Sequence, residues 1–140
     1  MKISVKTDYA LRAVFELAIN HGKKSFSIHE IAKNQGIPKR YLEHLLLMLK
    51  KAKIVASTRG KKGGYVLVKN PEKITIGDII RPVEGAVDVA PNCAGEKKKD
   101  LISETWQSLQ GTIEKLFDSI TIADLLNRKK PAEKTLTYSI

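Results

Sequence analysis

The sequence predicts a mainly α fold with a small β element (α+β): a winged helix-turn-helix domain followed by a long C-terminal dimerisation helix. Three observations predict it. Short amphipathic helices meet at a glycine turn around residues 34–36. A glycine-rich, cationic hairpin follows them. Apolar residues then recur at heptad spacing over residues 102–120, which predicts helix–helix association, with a long helix packing on its own domain as the alternative.

The first helix is expected over residues 7–20, where Leu11, Val14, Phe15, Ala18 and Ile19 form a buried stripe. His21-Gly22 stops it, because glycine accepts the left-handed conformation that closes a helix. Ser27-Ile28-His29-Glu30 fits a capping box, in which hydroxyl and carboxylate satisfy each other's free amides. It opens a helix ending near Asn34. Pro38 suits the first turn of a third helix running to Lys51, since the missing N–H is not needed there. Leu42, Leu45, Leu46 and Leu49 follow core spacing; Arg40, Glu43, Leu47 and Lys50 lie on another face. Two helices joined by such a short turn make a helix-turn-helix.

Residues 54–58 and 65–68 are rich in β-formers and flank Arg59-Gly60-Lys61-Lys62-Gly63-Gly64, which reads as a hairpin, or wing. Asn70-Pro71 breaks the chain, and Thr75-Ile76-Gly77-Asp78 caps a helix to about Glu84. Residues 85–99 read as a loop. Residues 100–126 form the dimerisation region, with Ile102, Trp106, Leu109, Ile113, Leu116 and Ile120 as its apolar stripe and a short helical turn at residues 121–126. Residues 127–140 form a tail. The domain division is therefore 1–84, 85–99, 100–126 and 127–140.

Composition excludes several function classes. The longest stretch without Asp, Glu, Lys or Arg runs from residue 105 to 113, too short to span a bilayer. With no apolar leader at the start, a cytoplasmic protein is expected. One cysteine, Cys93, permits neither an intrachain disulfide nor a multi-cysteine cage from one chain. No nucleotide-binding or zinc-protease motif occurs, so no enzyme is expected. Charge is uneven: residues 1–73 hold 16 Lys+Arg and 5 Asp+Glu, a net of +11, whereas residues 74–140 hold 9 and 10, a net of −1. A basic half joined to a near-neutral half suits a polyanion-binding unit, a plain soluble basic surface being the equal alternative from charge alone.

Double-stranded DNA is the expected polyanion. Side chains near the N-terminus of a recognition helix reach base edges in the major groove; here these are Lys39, Arg40, Tyr41, Glu43 and His44. For Tyr41, core packing is an equal alternative. Arg59, Lys61 and Lys62 at the wing tip suit phosphate or a minor groove.

Four segments carry a family resemblance in order: Met1-Lys2-Ile3-Ser4 leading to Asp8-Tyr9-Ala10-Leu11, Pro38-Lys39-Arg40-Tyr41-Leu42-Glu43, Arg59-Gly60-Lys61-Lys62-Gly63-Gly64-Tyr65, and Ile74-Thr75-Ile76-Gly77-Asp78-Ile79-Ile80. Together they resemble the Rrf-two family of bacterial transcription regulators. The resemblance implies a homodimer joined through the long helix, acting on an inverted-repeat operator, more often as a repressor. Cluster-binding members carry three cysteines in the loop before that helix. This chain has Cys93 alone, so no iron–sulfur cluster and no cofactor is expected, and it is similar instead to the cluster-free cysteine-metabolism repressor type. Cys93 could serve as a redox thiol if Lys97, Lys98 and Lys99 favour its thiolate; a plain loop thiol is the alternative. The resemblance also implies an alternative function: binding a metabolic enzyme such as cysteine synthase through the terminal Ile140.

Overall fold

The computed structural model describes residues 2–60, 63–93 and 99–132, the last four by backbone only. Helix α1 (Val5–Ile19) starts two residues before the expected position because Ser4 caps it, its hydroxyl accepting from the Thr7 amide at 3.3 Å. Its buried face is rotated from the predicted one. Thr7, Ala10, Ala13, Val14, Leu17 and Ala18 are buried, whereas Leu11 and Phe15 are half-buried and Ile19 is exposed. Alanines let neighbouring helices approach closely, so the contact stripe follows the small residues rather than the large ones.

Helix α2 (Ile28–Gln35) has the predicted capping box between Ser27 and Glu30, and ends at Gly36 in the left-handed conformation (φ 64°). Helix α3 (Lys39–Lys51) follows with Pro38 as its N-cap, one position earlier than expected. Its buried residues are the four expected leucines, Leu42, Leu45, Leu46 and Leu49. Strands β1 (Val55–Thr58) and β2 (Gly64–Leu67) pair antiparallel, with Val55 opposite Leu67 and Thr58 opposite Gly64. A 3-10 turn (Pro71–Lys73) leads to α4 (Ile76–Glu84), capped reciprocally by Thr75 and Asp78 as expected.

Helix α5 (Leu101–Ser119) is capped by Asp100, whose side chain accepts from the Ser103 amide at 2.8 Å. The turn expected at residues 121–126 is instead helix α6 (Ile122–Ala132), which reaches into the segment read as tail. It also joins the first core rather than the long helix: Ile122 is fully buried, and Leu125 and Leu126 pack against the same cluster as Val14, Leu46 and Ile79. Two backbone bonds fix this return, from the Ile76 amide to the Ile120 carbonyl (2.9 Å) and from the Ile122 amide to the Ile74 carbonyl (2.8 Å).

A satellite cluster of Ile80, Val87 and Phe117, with Ile76, Val89 and Ile113, joins α4, the following loop and α5. Across the same junction Arg81 donates two hydrogen bonds to Asp118, at 2.7 and 3.0 Å. Gly77 makes room for them, since a Cβ there would collide with the Asp118 carboxylate and the Arg81 guanidinium.

Candidate nucleic-acid interface

The candidate surface is built from inside outward. Four buried leucines anchor one face of α3, so the opposite face is held outward. Lys39, Arg40, Glu43 and His44 are all exposed there, with Leu47 beside them. Tyr41 is 49% exposed, which removes the core-packing alternative. Its ring meets that of Tyr9 edge-on, with centroids 6.0 Å apart, a geometry favoured by the ring quadrupoles. Tyr41 is thereby held by α1 while its edge stays in solvent.

The turn before α3 is fixed by a buried carboxylate. Glu16 on α1 accepts from the side-chain amides of Asn34 (3.2 Å) and Gln35 (3.0 Å). A buried charge is tolerated only when hydrogen-bonded, and here the bonds tie the end of α2 to α1 directly ahead of the recognition helix. The other end of α3 is tied to the wing, because Lys50 donates to the Ser57 hydroxyl at 2.9 Å. Lys50 is therefore a brace between α3 and β1.

Arg59 is exposed at the start of the wing tip, and Gly60 beside it takes a positive φ of 119° that a side chain would disfavour. Lys61 and Lys62 lie outside the described residues. Among the described residues no carboxylate lies within 4.0 Å of Lys39, Arg40 or Arg59. Asp8, by contrast, is paired with Arg12 at 2.9 Å. The arrangement presents uncompensated cations and hydrogen-bond donors on a rigid convex helix and an adjacent hairpin, which is what contact with phosphates and base edges requires.

Two groups nearby have displaced titrations. Hydrogen bonding to the Ser27 backbone amide chiefly holds the Glu30 carboxyl below its ordinary range. Bonds from Ser4 and then Thr7 do the same for Glu84, which thereby staples the start of α1 to the end of α4.

On α5, Ile102, Trp106, Leu109 and Leu116 are 62%, 39%, 46% and 55% exposed. Ile113 faces the satellite cluster, and Ile120 lies just past the helix as its half-buried C-cap. Cys93 is exposed in the loop before α5; Lys99 is exposed, and Lys97 and Lys98 lie outside the described residues, as do Tyr138, Ser139 and Ile140. No helix among the described residues is long and apolar enough to cross a membrane.

Comparison with known proteins gives these elements a context. The profile of the Rrf2 family (the Rrf-two family above), described as an iron-dependent transcriptional regulator, matches residues 3–128. The HTH-type transcriptional regulator CymR of Bacillus subtilis is 39% identical over 89% of this chain and 89% of its own length. The HTH-type transcriptional regulator IscR of Sodalis glossinidius is 33% identical over 93% of this chain and 81% of its own. Among solved structures, IscR of T. potens superposes with a TM-score of 0.81 at 36% identity, covering 99% of this chain and 95% of that one. The wing and recognition helix are thus those of a DNA-binding transcriptional regulator. These relatives are named as regulators of transcription, and the alternative of enzyme binding through Ile140 gains no support.

The family description names iron, but the donor set of this chain does not fit an iron–sulfur cluster. Such a cluster takes about four ligands, mostly thiolates. This chain offers one cysteine, and among the described residues no three His, Cys, Asp or Glu side chains converge.

Proposed function

The chain belongs to the Rrf2 family, and from that premise we propose how it works: as a non-enzymatic cytoplasmic repressor that binds an inverted-repeat operator as a homodimer, without a cluster. The observation that carries this reading is the outward face of α3, locked from behind by four leucines and braced at both ends by Glu16 and Lys50. Lys39, Arg40, Tyr41, Glu43 and His44 read the major groove. Arg can bond guanine O6 and N7 together, and a carboxylate can accept from cytosine N4. Arg59, with Lys61 and Lys62, holds the backbone or minor groove from the wing.

The second subunit follows from α5. Ile102, Trp106, Leu109 and Leu116 leave large apolar surfaces in solvent along one helix, and Ile113 and Ile120 continue their heptad spacing. A second copy covers them self-complementarily under two-fold symmetry. Two recognition heads then sit about one helical turn of DNA apart, or a multiple of it. Cys93, exposed ahead of α5, is available to solution oxidants as a redox thiol.

The test is fluorescence anisotropy with duplexes enriched from a random-sequence library by the full chain. Arg40→Ala is expected to weaken binding to the enriched sequence by about 1–3 kcal/mol while sparing non-specific binding. Unchanged affinity would refute the assignment, and failure to enrich any duplex in dilute salt would refute the reading as a whole.

A further inference from the structure

A groove of about 700 Å³ lies between the α1–α2 connection and the wing, with no residue of α3 in its lining. One rim is the connection from α1 to α2, with His21, Lys23 and Lys24; the other is the start of the wing tip, with Thr58, Arg59 and Gly60. The connection is attached to the wing by backbone. The Phe26 amide donates to the Tyr65 carbonyl at 3.1 Å, and the Tyr65 amide returns a bond to the Phe26 carbonyl at 2.7 Å. Phe26 is thus a third, one-residue rung on the outer edge of β2. Gly64 permits this close approach, because a Cβ there would collide with the Phe26 carbonyl.

The rim that carries Lys23 and Lys24 is therefore hydrogen-bonded to the wing. Lys24 is positioned over the Phe26 ring, with Nζ 4.7 Å from its centroid, and it also reaches Glu30 at 3.5 Å. His21 and Lys23 are exposed, and among the described residues no carboxylate lies within 4.0 Å of either. The cationic side chains come from two separate segments that face each other across an open trough. That geometry suits an extended chain of phosphates and leaves a single small anion largely in water.

We propose that this groove takes the phosphate backbone of duplex DNA flanking the sequence read by α3 and the wing, so that each subunit's footprint extends past its half-site. The inference rests on the DNA-binding reading above. It shares Arg59 with the wing contact and adds the lysines of the α1–α2 connection, whose loss leaves the central recognition intact.

The test compares two duplexes built on one library-enriched sequence: the central element alone, and the same element with flanks of about one helical turn on each side. Binding of the full chain is measured across a salt series. The flanked duplex is expected to bind more tightly and with a steeper salt dependence. In the variant Lys23→Gln/Lys24→Gln the slope on flanked DNA should fall by about 0.9 for each phosphate that is no longer neutralised, with affinity for the central element within about twofold of the parent. Lys23→Gln alone, which leaves the Lys24–Glu30 pair in place, should give part of the same decrease. If flanks add nothing for the parent chain, or the double variant keeps the gain, the groove is not a DNA surface while DNA binding itself stands. If neither duplex binds, both readings fall together.

Discussion

Leu46 and Leu47 are adjacent on α3 and chemically identical, yet one belongs to the core and the other to the exposed face proposed to read DNA. Leu46 is fully buried, whereas Leu47 is 52% exposed. Truncating a fully buried leucine to alanine removes transfer free energy and leaves a cavity, together about 3–5 kcal/mol. For Leu47, about half of a full-burial value of 1.5–3 kcal/mol is at stake, about 1 kcal/mol, and alanine's better helix propensity offsets part of that. With an m-value near 2 kcal/mol/M in urea, Leu46→Ala should lower the unfolding midpoint by about 1.5–2.5 M and Leu47→Ala by less than about 0.5 M. Both are to be followed by far-UV circular dichroism at one fixed protein concentration, because self-association would make midpoints concentration-dependent. Leu47→Ala should instead act on duplex affinity, measured under conditions where both variants are folded. Equal midpoint shifts, or a larger shift for Leu47, would refute the assignment of faces on which the whole interface depends.

Ser27→Ala breaks the capping box of α2 and should cost about 0.5–2 kcal/mol in the same denaturation assay; an unchanged midpoint would show that the cap is replaced by water. Glu84 has its pKa lowered by bonds from Ser4 and Thr7. Its contribution to stability is therefore complete above the ordinary glutamate value and is lost as pH falls from there through the lower folded value. Glu84→Gln should accordingly flatten the acid limb of a stability–pH curve below about pH 4.5, and an identical limb would count against the staple. Leu109→Lys should turn the sedimenting species from dimer to monomer at micromolar concentration, and a variant that stays dimeric would place the subunit contact elsewhere.

What the sequence made legible divides along a physical line. Local rules located α2, α3 and α4, because Ser27, Pro38 and Thr75 act within a few residues of themselves and the leucines of α3 repeat at a pure helical period. The rotated face of α1 was not legible. It depends on Ala10 and Ala13 meeting other helices, and on the polar Thr7 and Glu16 being buried because partners from α4 and α2 satisfy them. The placement of α6 was hidden for the same reason: its burial follows from two backbone bonds between residues 74–76 and 120–122, a pairing of distant segments with no periodic signal. At the interface, the exposed residues of α3 and Arg59 were readable from pattern and charge. The α1–α2 connection proposed to join it was not, since the Phe26–Tyr65 rung that ties it to the wing pairs distant segments.

The two regions that sequence patterning marked most strongly, the reading head and the apolar face of α5, must also be held at one angle if a dimer is to span two half-sites. The structure supplies that hold at α4. On one side Glu84 accepts from Ser4 and Thr7 and so fixes α4 to α1; on the other, Arg81 grips Asp118 with its two terminal guanidinium nitrogens and fixes α4 to α5. A bidentate pair constrains orientation as well as distance. It sits over Gly77, where a Cβ would collide with both partners, and beside the packed cluster of Ile80, Val87 and Phe117. In the dimer proposed here, rotation of α5 relative to α4 would change the separation of the two recognition helices. In such a dimer the contacts that hold α4 to α1 and to α5 would set the half-site spacing it accepts.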